Sequence, residues 1–204
     1  MSSATLADTR TRGRPREFDV GQALDAVVRV FCERGYHATS IGDLTEATGL
    51  ASGSLYKAFK DKRGLYVAAL THYKDSRDAE LRRALASGRT GRERVRAALR
   101  HFAEASHGER GRLGCLVVNG ATELATFDPE LGAWVAQSLR RNEALLAGLV
   151  RDGIADGSVP AHVDPALAGR LLLCLVQGMR VVGKTGISRQ DTLALADAAL
   201  KTLA

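Results

Sequence analysis

The segment 39–62, TSIGDLTEATGLASGSLYKAFKDK, constrains the fold of this chain more than any other stretch. Its first half places apolar residues at positions 41, 44 and 47, which is helical spacing, and its second half directs Leu55 and Phe59 inward. Gly49 lies between the two halves, where a tight turn with a positive φ is expected. Helices this short are not stable alone, so they need a supporting helix. The segment therefore predicts a helix-turn-helix.

The polar face of the second short helix supplies the predicted DNA contacts. Ser52, Gly53 and Ser54 are small enough to let the backbone approach base edges in the major groove. Tyr56 can donate its hydroxyl to a phosphate, and Lys57 can reach a phosphate or a guanine edge. Structural alternatives stay open: Ser52 as a helix cap, Tyr56 packed on the supporting helix, and Lys57 as a solvated charge.

Basic residues precede and follow this segment. Residues 1–13 are predicted to form a disordered basic arm. Arg14 and Arg16, in the sequence GRPR, are predicted to meet phosphates or the minor groove, with an idle tail as the alternative. Lys62 begins a long helix predicted over residues 62–86, and its position would aim the lysine and the helix N-terminus at the DNA backbone.

Composition favours a DNA partner and disfavours several other classes. The net charge of +6 favours anionic partners. No apolar run approaches the roughly 18 residues that a membrane helix needs, and the N-terminus has no apolar core of a secretory signal. An odd count of cysteines (Cys32, Cys115 and Cys174) without a CxxC indicates a reducing cytoplasm. The chain shows no catalytic motif and no metal-ligand spacing of histidines, so we expect no enzyme activity, no metal and no cofactor.

The rest of the chain is predicted to be helical, because apolar residues recur at spacings of three and four and no strand alternation persists. Helices are expected over residues 92–106, 115–125, 129–156, 165–182 and 188–203, with a flexible loop at Gly108, Gly111 and Gly114. The fold class is therefore all-α, with a three-helix helix-turn-helix domain at residues 14–62 and a helical domain at residues 63–204, about nine helices in all.

Between Arg14 and Tyr73 the chain resembles the TetR family of transcriptional regulators. The resemblance rests on GRPR, FCERGYHATSI, ATGLASGSLYKAF and KDKRGLY, which occur in this order. It implies a ligand-responsive regulator, by default a repressor that binds a pseudo-palindromic DNA operator as a homodimer. It places operator contacts at Thr39 or Ser40 in addition to Ser52, Gly53, Ser54, Tyr56, Lys57 and Lys62. The last two helices would form the dimer interface.

The same resemblance implies an effector pocket within the C-terminal helices. The candidate lining residues are Phe102, Cys115, Asn119, Glu123, Trp134, Gln177 and Arg180. Each has a plain alternative: Phe102 and Trp134 as core, Asn119 and Glu123 facing solvent or the dimer partner, and Arg180 paired with Glu123 or at the interface.

Cys115 is also a redox candidate. The passage GCLVVN resembles a branch of the family in which some members respond to electrophiles or oxidants. A cysteine in the first turn of a helix is favoured as a thiolate by the helix dipole, and Lys184 would favour it further if it lay nearby. The alternative is a small packed residue at a helix start.

Two other classes of function compete with this interpretation. An effector-independent, nucleoid-type protein would bind DNA irrespective of sequence and with a steep salt dependence. An enzyme with an appended DNA-binding head would need a catalytic constellation drawn from distant residues, for which the sequence offers no motif.

Overall fold

A computed structural model of the chain describes residues 19–204, which form ten helices. The helices are α1 (Val20–Arg34), α2 (Ile41–Thr48), α3 (Ser52–Phe59), α4 (Lys62–Leu85), α5 (Gly91–Glu104), α6 (Gly108–Leu113), α7 (Leu116–Glu123), α8 (Pro129–Ala155), α9 (Pro165–Gly183) and α10 (Arg189–Lys201). Helices α1–α3 and the start of α4 form the head, and the remaining helices form the body.

The head is built on the amphipathic helix α1. Asp19 caps α1 by accepting hydrogen bonds from the amides of Gly21 and Gln22. Its apolar face packs on α4, where the rings of Phe31 and Tyr66 meet edge to face with centroids 5.0 Å apart. The supporting helix that the short α2 and α3 require is therefore this α1–α4 pair.

Helices α2 and α3 attach to that support through one buried leucine each, Leu44 and Leu55. Gly49 ends α2 with φ 66°, as the turn was predicted to require. The predicted helix-turn-helix is thus present.

Helix α4 belongs to both parts of the molecule. Its first half contributes Tyr66, Ala69 and Leu70 to the apolar core of the head, while Leu81 lies in the core of the body. The head core also continues into α7 and the start of α8 through Leu116 and Leu131. A displacement of α4 or α7 in the body is therefore transmitted to packing in the head.

One predicted loop is a helix. Residues 108–113 form α6, whereas the three glycines of this region predicted a flexible loop. Two of the glycines mark the ends of the element, since Gly108 and Gly114 have φ of 60° and 88°. At the third glycine, Gly111, α6 passes close to the backbone of Ser106. A Cβ added to Gly111 would lie 2.6 Å from the carbonyl oxygen of Ser106. The additional helix accounts for ten helices in place of about nine.

Helix α9 is long and apolar enough, by length and composition, to cross a membrane. This differs from the expectation that no apolar run in the sequence approaches the length of a membrane helix. One side of α9 packs on α8 through buried residues such as Leu172 and Val176, so it serves as a core helix here. Its other side carries a stripe of exposed residues with helical spacing: Leu167, Leu171, Cys174, Gly178 and Val182.

Candidate DNA-binding surface and effector cavity

Two adjacent residues at the start of α2 differ in exposure: Thr39 is buried and Ser40 is exposed. Ser40 caps α2 in a capping box, accepting from the Asp43 amide at 3.1 Å while its own amide donates to the Asp43 carboxylate at 2.7 Å. Thr39 is only 2% exposed, and its hydroxyl donates to the carbonyl of Gly35 at 2.6 Å. The expectation that the Thr39 side chain contacts DNA is therefore wrong, because this hydroxyl is buried and already bonded. Ser40 remains accessible.

Helix α3 presents the polar surface that the sequence predicts. Ser52, Gly53, Ser54, Tyr56 and Lys57 are all exposed. Ala51 occupies the N-cap position without a side-chain bond, so Ser52 is not the cap. Tyr56 is 45% exposed and is not packed on the supporting helix. Two of the structural alternatives are thereby removed, and the N-terminal half of α3 is open for an approach to DNA.

The turn between α3 and α4 adds positive charge beside this surface. Lys60 is exposed and takes φ 71°, a left-handed conformation that a side chain disfavours. It was not among the predicted contacts. Lys62 is partly buried, and its Nζ lies 4.5 Å from the centre of the Tyr36 ring. Burial lowers the pKa of Lys62, and the charge of Asp43 opposes that effect.

Arg63 faces the body and not the DNA-binding surface. Its Nε and Nη2 donate to the two carboxylate oxygens of Asp128 at 2.6 and 3.0 Å, and Nη2 also reaches Glu130 at 2.7 Å. The hydrogen bonds from Arg63, followed by those from the α8 backbone, lower the pKa of Asp128 to about 2. This bidentate pair fixes the first turn of α4 to the start of α8.

A small cavity lies in the body beside α4 and has a volume of about 40 Å³. Of the predicted effector residues, Phe102, Cys115, Gln177 and Arg180 line it. Helix α4 contributes residues that were not predicted, namely Tyr73, Lys74, Arg77 and Asp78. The sequence carries a signal for these residues in their spacing along α4. They form a polar face beside the apolar stripe at Tyr66, Ala69, Leu70 and Tyr73, and a face next to a buried stripe borders another part of the structure.

Three predicted effector residues lie elsewhere. Trp134 is partly buried in the apolar core that joins head and body, as its alternative interpretation held. Asn119 and Glu123 do not line the cavity, because both are bonded to the end of α1. The Nδ2 of Asn119 donates to the carbonyl of Cys32 at 3.2 Å, and Oε2 of Glu123 accepts from the amide of Tyr36 at 2.8 Å. The assignment of these three side chains to the pocket is therefore corrected.

We call the contacts of Asn119, Glu123 and Lys184 with α1 the junction. Lys184 donates from Nζ to the same Cys32 carbonyl at 3.3 Å. A Cβ added at Gly114 would lie 3.2 Å from that Nζ, so the lysine does pack beside the residue preceding Cys115. Carbonyls in the last turn of a helix have no partner within the helix. The body supplies two donors to the carbonyl of Cys32, from Asn119 and Lys184.

The cysteines differ in environment. Burial raises the pKa of Cys32 to about 12, and the neighbouring Cys115 adds to the effect while Lys184 opposes it. Cys32 is therefore a neutral core thiol. Cys115 is buried at the N-cap of α7, one position before the predicted first turn, and it borders the cavity. Cys174 is exposed.

Comparison with known proteins decides the family. A model described as "Bacterial regulatory proteins, tetR family" matches residues 23–69, and "Tetracyclin repressor-like, C-terminal domain" matches residues 91–189. The transcriptional repressor ComR of Escherichia coli is 30% identical over 98% of this chain and 96% of its own length. The chain belongs to the TetR family of transcriptional regulators. As a TetR-family protein it is a ligand-responsive, DNA-binding regulator with the predicted all-α fold.

Solved structures of other family members agree with this assignment. A cysteine mutant of the TetR-family regulator CifR, bound to 26-bp double-strand operator DNA, is 31% identical over 94% of this chain and all of its own, with a TM-score of 0.84. FadR of Bacillus subtilis in complex with stearoyl-CoA is 22% identical with a TM-score of 0.68 over 89% of this chain and 96% of its own, which shows the fold alone. In this TetR-family chain, the described residues 19–204 contain no group of three or more His, Cys, Asp or Glu side chains that could hold a metal ion.

Proposed function

We propose that this TetR-family chain is a repressor that binds a pseudo-palindromic operator as a homodimer and is released by a small-molecule effector. The observation that carries the proposal is the exposed polar face of α3, fixed by the buried Leu55 and connected through α4 to a cavity in the body. In this division of labour residues 14–62 bind DNA and residues 63–204 bind the effector and the second subunit. The protein acts in the cytoplasm, by binding and not by catalysis.

The proposed operator contacts are the exposed residues of α2 and α3 together with the basic residues around them. This set comprises Ser40, Ser52, Gly53, Ser54, Tyr56, Lys57, Lys60 and Lys62. Arg14 and Arg16 complete the predicted set and lie outside the described residues. The small residues at the start of α3 would approach bases, while Tyr56 and the lysines would contact phosphates.

The salt dependence of operator binding tests this surface. A dimer carries two copies of Lys57, and each phosphate contact contributes about 0.9 to the slope of log affinity against log salt. Lys57→Ala should therefore lower that slope by about 2 and weaken binding, as measured by fluorescence anisotropy on a fragment selected from host DNA. Arg151→Ala, which removes an exposed positive charge from the C-terminal half of α8, is the matched control. An unchanged slope for Lys57→Ala would remove α3 from the interface.

The same titration on random DNA separates a specific repressor from a nucleoid-type protein. A repressor should prefer its operator by about 10³-fold or more over random sequence. Equal affinity for the two fragments, with the same salt slope, would instead support sequence-independent binding.

The effector is proposed to act by opening the cavity. At about 40 Å³ the cavity is far smaller than the roughly 300–1,000 Å³ typical of ligand sites. An effector that lies wholly within the cavity must therefore displace α4 or α7, which form two of its walls and also pack in the head. FadR, of similar fold, is known with stearoyl-CoA bound, so the fold accommodates a ligand. The proposed lining keeps Phe102, Cys115, Gln177 and Arg180 from the sequence prediction.

A second route to release is a reaction at Cys115, which borders the cavity and lies next to Gly114, against which Lys184 packs. Adding N-ethylmaleimide to the thiol would fill the small cavity and displace α7. Mass spectrometry of the treated protein, together with operator binding, tests this route. We expect modification of Cys115 to abolish operator binding and Cys115→Ser to resist the reagent. A wild-type protein that loses operator binding while Cys115 stays unmodified would exclude the route.

The homodimer is proposed to form through α9 and α10. Leu167, Leu171 and Val182 lie along one exposed side of α9, with Leu167 as much as 64% exposed, and Leu195 is exposed on α10. A contiguous apolar surface of this kind is typical of a subunit interface. A two-fold axis between two such surfaces would present two copies of α3 to inverted half-sites.

A further inference from the structure

Arg180 is a buried cation that has no anionic partner among residues 19–204. It is only 7% exposed, and its Nη1 donates to the carbonyl of Ala105 at 2.6 Å. The guanidinium lies 5.9 Å from the centre of the Phe102 ring. Within residues 19–204 no carboxylate oxygen comes within 4.0 Å of it. A buried guanidinium without a counter-ion is costly, and within residues 19–204 the bond to Ala105 is the one hydrogen bond of the Arg180 side chain, which also lines the cavity.

The other charges around the cavity do not neutralise Arg180. Lys74 is paired with Asp78 on the same helix. Arg77 is paired with Glu80, which is shared with Arg110. The Nε of Arg77 is buried and has no hydrogen-bond partner in the part of the chain that the structure describes. The cavity wall therefore carries three cations and one carboxylate, with unfilled donors on two guanidinium groups.

His101, next to Phe102, responds to this positive environment. Burial lowers the pKa of His101, and the positive charge of Arg180 lowers it further. Since a second cation is disfavoured beside Arg180, an anion is correspondingly favoured there.

An apolar groove between α4 and α8 adjoins the cavity. The groove has a volume of about 210 Å³ and shares Lys74, Asp78, Leu81 and Asn142 with the cavity wall. Leu81, Leu85 and Leu145 form its apolar surface, flanked by Arg82 and Arg141. The inner space of about 40 Å³ has room for a small charged group but not for a chain, whereas the groove has room for a chain.

We propose that the effector of this chain is an amphiphilic organic anion whose carboxylate binds Arg180 and Arg77 while its apolar chain lies in the groove between α4 and α8. A planar guanidinium matches a carboxylate through two parallel hydrogen bonds, which a neutral or cationic head group cannot reproduce. The inference rests on the proposed function, because it assigns a ligand class to the cavity proposed as the effector site.

Three probes of equal chain length test the proposal: decanoate, decan-1-ol and decylamine, each titrated into the DNA-free protein by calorimetry below its micelle concentration. Decanoate should bind at least about tenfold more tightly than the other two. Arg180→Gln should remove most of that preference, while Arg112→Gln, an exposed arginine on α6, should not. Circular dichroism establishes that each variant is folded. Should Arg180→Gln fail to fold, Arg77→Gln serves as the second variant.

Equal binding of the alcohol or the amine, or an unchanged preference in a folded Arg180→Gln or Arg77→Gln variant, would overturn the proposal. Operator affinity measured on the same samples distinguishes failure of the anion site from failure of the cavity as the effector site. Decanoate that binds through Arg180 without releasing the operator would uphold the anion site and contradict its role as the effector cavity. Release by decan-1-ol alone would uphold the effector cavity and overturn the anionic ligand class.

Discussion

Among the glycines of the DNA-binding head, Gly64 has the least room for a side chain. It follows Asp61, whose carboxylate accepts from the Gly64 amide at 2.7 Å and so caps α4. A Cβ at this position would lie 2.1 Å from the carbonyl oxygen of Phe59. The turn that orients α3 relative to α4 therefore requires glycine, which explains why KDKRGLY is informative as a sequence pattern.

Replacing Gly64 by alanine should destabilise the head. The added Cβ meets backbone and not a flexible side chain, so we expect the free energy of unfolding to fall by about 1–3 kcal/mol. Urea denaturation followed by circular dichroism measures it. Gly53→Ala is the matched control, because a Cβ there has no neighbour within 4 Å. Equal free energies of unfolding for the two variants would show that the turn can shift to accommodate a Cβ at position 64.

Lys60 gives a prediction of opposite sign in the same turn. Its φ of 71° with ψ of −55° lies in a sparsely populated backbone region, which costs about 1–3 kcal/mol for a residue with a Cβ. We expect Lys60→Gly to raise the free energy of unfolding by about 1 kcal/mol, as measured by urea denaturation, and to weaken operator binding by removing a charge. A variant that is less stable than the wild type would refute the strain. One that binds operator unchanged would exclude Lys60 from the interface.

At the scale of elements, α7 connects the proposed effector cavity to the head. Its N-terminal end carries Cys115 and Val117 in the cavity wall. One and two turns after Cys115, Asn119 and Glu123 bind the carbonyl of Cys32 in α1 and the amide of Tyr36 just after α1. An effector that moves the start of α7 therefore changes the junction directly. This path is additional to α4, which crosses from head to body.

Loss of the Glu123 carboxylate should loosen the junction. Glu123→Ala removes the acceptor of the Tyr36 amide, a charged hydrogen bond with a typical contribution of about 1.5 kcal/mol. The exchange rate of that amide should rise about tenfold by hydrogen-exchange mass spectrometry or NMR. Glu123→Gln keeps an oxygen acceptor and should show a smaller rise. Unchanged exchange in Glu123→Ala would show that the junction does not hold Tyr36.

The pair of Arg63 with Asp128 predicts a pH dependence. The pKa of Asp128 is lowered from 3.8 to about 2, below its unfolded value. Its contribution to stability is therefore full above about pH 4 and is lost as the pH falls through 2. Asp128→Asn keeps an N-cap acceptor for α8 while removing the charge. The stability difference between wild type and variant should narrow between pH 4 and pH 2 in urea titrations, and a constant difference would contradict the pairing.

Helices were predictable from sequence where periodicity and a cap coincide. Ser40 and Asp128 each precede a helix and cap it. The glycines at positions 108, 111 and 114 concealed α6, because Gly108 and Gly114 mark its ends while Gly111 allows a close approach to the backbone of Ser106. Asn119 and Glu123 were misassigned for a related reason. Two polar residues on an apolar helix indicate a polar partner, but here the partners are the backbone groups of Cys32 and Tyr36, which leave no mark in the sequence.

At the scale of the whole molecule, the two sides of α9 have different roles. One side of α9 completes the body core, and the exposed stripe of Leu167, Leu171, Cys174, Gly178 and Val182 is available for a second copy. Because a single α3 reads only a few base pairs, the proposed operator specificity depends on this pairing.

A charge in the middle of the α9 stripe should separate the subunits. Leu171→Glu should shift the protein from dimer to monomer in analytical ultracentrifugation, since a carboxylate would be buried against its own copy across the two-fold axis. Its circular dichroism should be unchanged, because Leu171 is exposed in the single chain. Val20→Glu, at an exposed apolar site in the head, is the control. A dimer that survives Leu171→Glu would place the interface elsewhere.

A hydroxyl-radical footprint on a DNA fragment selected from the host genome tests the central claim most directly. The claim is that two copies of α3, paired through the body, read two inverted half-sites. It predicts two protected stretches of inverted sequence whose centres lie one helical turn, about 34–36 Å, or a multiple of it apart. A single protected half-site at saturation, or uniform protection of any fragment, would contradict it.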